Sequence, residues 1–190
     1  MSDEPDYEPL IQEFKSGQMP LLWQWTAREF VCSANILRGA AQNTDLFPDN
    51  GKNGDHLWKP KSAVWLLYGL ALENLVKGLL VAQGVDATST GELNKSLKTH
   101  DLGKLWKSAG LPVSDATNEI LKNLHWSVEV GKYPVGTKPD PKAPTPFWIA
   151  LMNVEAVVKL IETAEDALRA KRPDWTFEKR NLLELCAGAG

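Results

Sequence analysis

Histidine and cysteine are scarce in this 190-residue chain, with three of the first and two of the second. That scarcity excludes most metal chemistry. Neither Cys-x-x-Cys nor His-Glu-x-x-His occurs, and His56, His100 and His125 fall in separate segments, so no metal site is expected and no cofactor is implied. Cys32 and Cys186 stand far apart without a pairing pattern. The opening MSDEPDYEPL is acidic where a secretory signal is basic and then apolar, so the expected compartment is a reducing cytoplasm. The Asn94-Lys95-Ser96 sequon is then idle.

A strong charge of either sign is also missing. Twenty-one basic against 24 acidic residues leave a net charge of −3, so a nucleic-acid partner has to be met by a local patch rather than by the whole molecule. No Gly-x-x-x-x-Gly-Lys-Ser phosphate loop and no nucleophile elbow occur. The stretch DNGKNGDHLWKP places Asp49, Asn53 and Gly54 as a calcium loop would. It fails at Gly51, in the third position, and at Pro60, in the twelfth, where a bidentate glutamate is required. The most apolar run, VWLLYGLALENLVKGLLVA over 64–82, carries Glu73 and Lys77 at its middle, each costing roughly 2.5–3.5 kcal/mol in a bilayer, so a buried helix is expected and no membrane partner.

Helical periodicity fills most of what remains. Trp23, Ala27, Phe30, Ala34, Leu37 and Ala41 recur at steps of four and three from Pro20, which suits a first turn. Residues 43–61 are dense in Asn, Asp, Gly and Pro and read as a long loop. A helix apolar on nearly every side follows from about Lys61 to Gln83, with Gly84 to end it. GVDATSTGELNKS reads as a flexible connection. A short helix capped by Thr99 or Asp101 then ends near Gly110, and Ser114 or Asp115 caps the next, which runs to about Val130. Residues 131–146 hold five prolines and form no regular element. The last long helix spans about Phe147 to Ala170, with Val154, Val157, Ile161, Ala164 and Leu168 on one stripe and Glu155, Lys159, Glu162, Asp166 and Arg169 opposite. No run alternates with period two, so no sheet is expected. The fold class is all-α, an up-down bundle of four to five long helices with long loops. Residues 1–18 read as an acidic, loosely ordered segment, 19–180 as one bundle domain and 181–190 as a flexible tail.

Three places carry candidate chemistry. On the central helix, Gly69, Glu73 and Lys77 lie four apart along one line, with Asn74 and Gly78 on the neighbouring ridge. The simpler account is an exposed Glu73–Lys77 pair contributing roughly 0.2–0.5 kcal/mol, with the two glycines admitting a neighbouring helix; the other is a pocket lining. In LKTHDLGKLW, His100 sits at a helix start beside Lys95, Lys98, Lys104 and Lys107 against the single Asp101, an arrangement that attracts anions. The simpler account is an exposed loop residue. His125 shares a helix side with Asn118, Lys122 and Glu129, which reads as a solvated face. Lys132 and Tyr133 open the proline-rich loop, where a cation and a stacking ring suit a phosphate and a base as well as they suit a helix end.

LLYGLALENLVKGLLVAQG, then KTHDLGKLW, then VGKYPVG resemble, in this order, the HEPN domain superfamily, the helical domains named from higher eukaryotes and prokaryotes nucleotide-binding. The resemblance covers roughly residues 60–168. Leu72, Glu73 and Lys77 match a Leu-Glu-x-x-x-Lys helix, His100, Asp101 and Leu102 a His-Asp-Leu turn, and Lys132, Tyr133 and Pro134 an Arg-Tyr-Pro with lysine for arginine. It implies a four- or five-helix bundle, often a homodimer, in bacterial defence or toxin–antitoxin systems or beside nucleotidyltransferases. Many such domains are metal-independent ribonucleases whose site is an arginine followed by four to six residues and a histidine. None of Arg28, Arg38, Arg169, Arg172 and Arg180 has a histidine in that window, and lysine at 95, before His100, lacks arginine's planar fork.

The resulting expectation is a nucleotide- or RNA-binding and assembly module that lacks the usual arginine/histidine ribonuclease motif, with Glu73, Lys77, Lys98, His100, Asp101, Lys132 and Tyr133 at the ligand. A metal-independent ribonuclease using His100 or His125 is the enzymatic alternative. A non-catalytic interaction subunit, using Trp58, Trp148 and Trp175 at element edges, is the third, with a nucleotidyltransferase or nuclease as its partner protein.

Overall fold

The computed structural model describes residues 8, 12, 19–42, 61–89, 92–132 and 153–173. Within these, α1 spans Pro20–Gln42, α2 Lys61–Ala82, β1 Thr88–Ser89, β2 Glu92–Leu93, α3 Leu102–Ser108, α4 Asp115–Lys132 and α5 Val154–Lys171. The helical class expected from periodicity holds. Trp58, Tyr133, Trp148 and Trp175 lie outside the described residues, as do the loop over 43–60, the proline-rich loop beyond Lys132 and the tail over 181–190.

The apolar composition of α2 dictates its place. Tyr68, Ala71, Leu72, Leu75, Val76 and Leu79 are all buried, and α1, α3, α4 and α5 pack around it. By length and composition Ser62–Ala82 would cross a membrane, but 78% of its most apolar window is buried inside the protein. α1 runs antiparallel to α2, since Trp23 lies beside Gly78 while the Tyr68 phenol donates to Asn35 Oδ1 at 2.7 Å. Burial raises the Tyr68 hydroxyl above its ordinary range, a shift the nearby Arg38 only partly opposes.

Helix ends follow the residues that precede and follow them. α2 closes with Gly84 at φ 98°, where Val85 N–H reaches back to Leu80 O. α3 closes the same way, with Gly110 at φ 70° and Leu111 N–H on Trp106 O. This six-to-one bond satisfies an orphan carbonyl, and the left-handed residue it needs is cheapest as glycine. Ser114 Oγ accepts from Thr117 N–H at 3.1 Å and so caps α4.

Three expectations are corrected. The connection after Gly84 contains a small antiparallel hairpin, Thr88 opposite Leu93 and Ser89 opposite Glu92, too short to register as alternation. The last helix starts at Val154, not near Phe147, because Asn153 is extended and its side chain caps Ala156 N–H. Cys32 stands in a disulfide instead of as a thiol; spacing in sequence carries no information on proximity in space, and Cys186 falls outside the described residues.

The α5 stripe is buried at Val157, Ile161, Ala164 and Leu168, and with it goes one charge the pattern did not single out. Glu165 Oε1 accepts from Gln24 Nε2 at 2.7 Å and from Arg28 Nε at 2.8 Å, tying α5 to α1. Its other oxygen is 3.8 Å from Arg169 Nη2, too far for a hydrogen bond, while Arg169 Nη1 donates to Asp166 at 3.0 Å.

Gly69 and Gly78 set how closely α2 is approached. A Cβ on Gly69 would meet Val128 Cγ2 at 2.7 Å, and one on Gly78 would meet Trp23 Cβ at 2.7 Å. We expect Gly69→Ala and Gly78→Ala each to lose about 1–3 kcal/mol through overpacking. Gly39→Ala, with nothing within 4 Å, should be neutral or slightly stabilising. Urea denaturation checks this, and equal effects at all three positions would contradict the packing described.

Candidate functional site

Glu73, a carboxylate inside an apolar helix, must be satisfied or expelled. It is satisfied. Lys77 Nζ, one turn on, lies 2.7 Å from Glu73 Oε1, and both side chains are only 6% exposed. The exposed pair of the simpler account is therefore replaced by a buried one, since the line through Gly69, Glu73 and Lys77 faces neighbouring elements instead of water. Asn74, on the adjacent ridge, turns its amide back onto Leu70 O.

The third partner of Glu73 comes from the loop before α3. His100 Nδ1 lies 2.9 Å from Oε1 and 3.0 Å from Oε2. With the carboxylate accepting, the ring hydrogen sits on Nδ1. The His100 side chain is 41% exposed, so one edge is anchored in the protein and the rest of the ring reaches the surface.

α4 delivers a second imidazole to the same spot. His125 Nδ1 is 2.9 Å from the main-chain oxygen of His100. Periodicity had turned this residue toward solvent, on the side away from Ile120, Leu124 and Val128. In the fold the buried stripe is Leu121, Leu124 and Val128, with Ile120 only partly covered, so the stripe is rotated by about one residue and His125 comes to its edge, half-buried. The signal was present in the three-residue and four-residue spacings to Val128 and Leu121.

The surrounding charges are more balanced than LKTHDLGKLW alone implies. Lys98 Nζ pairs with Glu92 of β2 at 2.7 Å, and Lys104 Nζ with Asp101 at 3.0 Å. Asp101 also caps α3, its Oδ1 accepting from Lys104 N–H at 2.9 Å, while Thr99 Oγ1 accepts from Asp101 N–H. A carboxylate of the chain itself therefore serves the amides at this helix start. Glu92, distant from the motif in sequence pattern, is the residue that local reasoning missed, because only the hairpin brings it round.

Of the expected ligand residues, Glu73, Lys77, His100 and Asp101 share one corner with His125, while Lys98 pairs with Glu92. Lys132 is the last residue of α4, seven positions or about 10 Å beyond His125 along the axis. Tyr133 lies outside the described residues. Among the described residues no group of three His, Cys, Asp or Glu side chains is arranged to hold a metal ion.

Partial burial alone would raise the Asp101 carboxyl. The Lys104 amide, the Lys104 ammonium and the field of His125 together outweigh it and hold Asp101 below its ordinary value. A carboxyl depressed in the folded state contributes stability that is present above its unfolded value, near 3.9, and is lost as pH falls through the folded one. Asp101→Ala should thus cost about 1 kcal/mol at neutral pH. The gap to wild type should narrow on acidification below about pH 4. Equilibrium denaturation at both pH values checks this, and a constant gap would contradict it.

Set against known protein families, curated proteins and solved structures, the chain matches none.

Proposed function

We propose that this chain is a HEPN-like helical module that binds a nucleotide or an RNA phosphate at the Glu73–His100–His125 corner. In this reading it assembles as a homodimer and serves a bacterial defence or toxin-type system, beside a nucleotidyltransferase or nuclease partner. The observation that carries the reading is the meeting of two anchored imidazoles, from different elements, at the mouth of a buried carboxylate–ammonium pair. Groups held this firmly and still reaching the surface are what a ligand site requires.

The cations divide into two kinds. Lys77 is buried on Glu73 and serves to hold the carboxylate in place. Lys98 and Lys104 are 48% and 77% exposed, and their pairs with Glu92 and Asp101 are surface pairs worth about 0–1 kcal/mol. An incoming phosphate competes readily for both. Lys132 ends α4 two turns past His125. The arginine-to-histidine spacing of metal-independent ribonucleases is missing from the sequence, and the buried ammonium is already committed to Glu73, which favours binding over cleavage.

Calorimetry with short single-stranded RNA tests the proposal. Wild type should give a saturable heat that weakens with added salt, and His100→Ala and Lys132→Ala should each reduce affinity about tenfold. Identical binding by the variants, or no heat with wild type, would contradict it.

A further inference from the structure

The tautomer of His125 is fixed by its partner. A main-chain carbonyl can only accept a hydrogen bond, so the contact between His125 Nδ1 and His100 O places the ring hydrogen on Nδ1. In the neutral imidazole, Nε2 then carries a lone pair and no hydrogen. His125 is half-buried and makes its hydrogen bond through Nδ1, so among the described residues Nε2 is the ring nitrogen left to meet a ligand at the corner, as an acceptor.

An acceptor selects what it meets. A phosphodiester oxygen has no hydrogen to offer, so the phosphate of the ligand proposed above belongs on the lysines and not on His125 Nε2. The nearest donor to a nucleotide phosphate is a sugar hydroxyl, and inside an RNA strand the 3′ oxygen is esterified, leaving the 2′-hydroxyl. Exocyclic amines of the bases also donate, but they lie beyond the sugar. We infer that His125 is a specificity-determining residue whose Nε2 accepts a hydrogen bond from a ribose 2′-hydroxyl, so that the corner prefers RNA to DNA. This inference rests on the phosphate site proposed above. It adds to it the sugar and the residue that reads it.

The experiment compares oligouridylate with oligodeoxyuridylate of the same length, since neither carries an exocyclic amine and the pair differs only at the 2′ position. Wild type should bind the RNA about fivefold to tenfold more tightly, the worth of one hydrogen bond. His125→Asn retains an amide able to donate to His100 O but has nothing at the ε position, so it should bind both strands with the affinity wild type shows for DNA. Equal binding of the two strands by wild type overturns the inference and leaves the phosphate site standing. A preference that survives in His125→Asn overturns the assignment to His125. No binding of either strand removes the phosphate site and the inference together. Long-range proton–nitrogen NMR of wild-type protein provides a check that does not depend on any variant folding: in the neutral ring Nδ1 should carry the hydrogen and Nε2 none, and the opposite tautomer overturns the inference.

Discussion

A carboxylate buried in the middle of the most apolar helix governs the arrangement of this protein. Glu73 is tolerated there because its oxygens accept from Lys77 on the same helix and from His100 on the loop that leads into α3. Removing either donor would leave charge in a low-dielectric setting, where an unpaired group costs several kcal/mol. The loop is thereby held against α2, and its main chain in turn presents the carbonyl on which His125 of α4 settles. One ionic contact inside the core thus fixes three segments at the surface.

The second buried carboxylate, Glu165, plays a comparable part between α5 and α1. It holds α5 to α1 through Gln24 and Arg28. Around Glu165 the donors are long side chains reaching in from α1, which makes a tie between helices. Around Glu73 one donor is an imidazole whose ring continues out to solvent, so the same physical solution leaves a chemically useful group at the rim.

Much of the architecture was legible in the residues. Pro20 at the start of α1, the all-round apolar α2, and Gly84 and Gly110 past the ends of α2 and α3 act through local stereochemistry, which does not wait for the tertiary fold. Gly69 and Gly78 were readable as close-approach points for the same reason. The site was legible in part: Glu73, Lys77, His100 and Asp101 were singled out, but the burial of the Glu73–Lys77 pair was not, because spacing aligns two charges without saying whether the face they share meets water. His125 was named as a candidate histidine but read onto a solvated face, because its place at the edge of the buried stripe turns on a rotation of one residue on α4, and Glu92 was missed because a two-rung hairpin is too short to show a period. The disulfide at Cys32 depends on where distant chain runs, which no local pattern encodes.

Glu73 and Lys77 stabilise one another inside the core. A double-mutant cycle by urea denaturation with Glu73→Met, Lys77→Met and the double variant measures it most directly. Each single change should cost about 3–5 kcal/mol, while the double change, which strands no buried charge, should cost clearly less than the sum. Single variants within about 0.5 kcal/mol of wild type, or costs that simply add, would mean that the pair is solvated and that nothing inside the core fixes the corner.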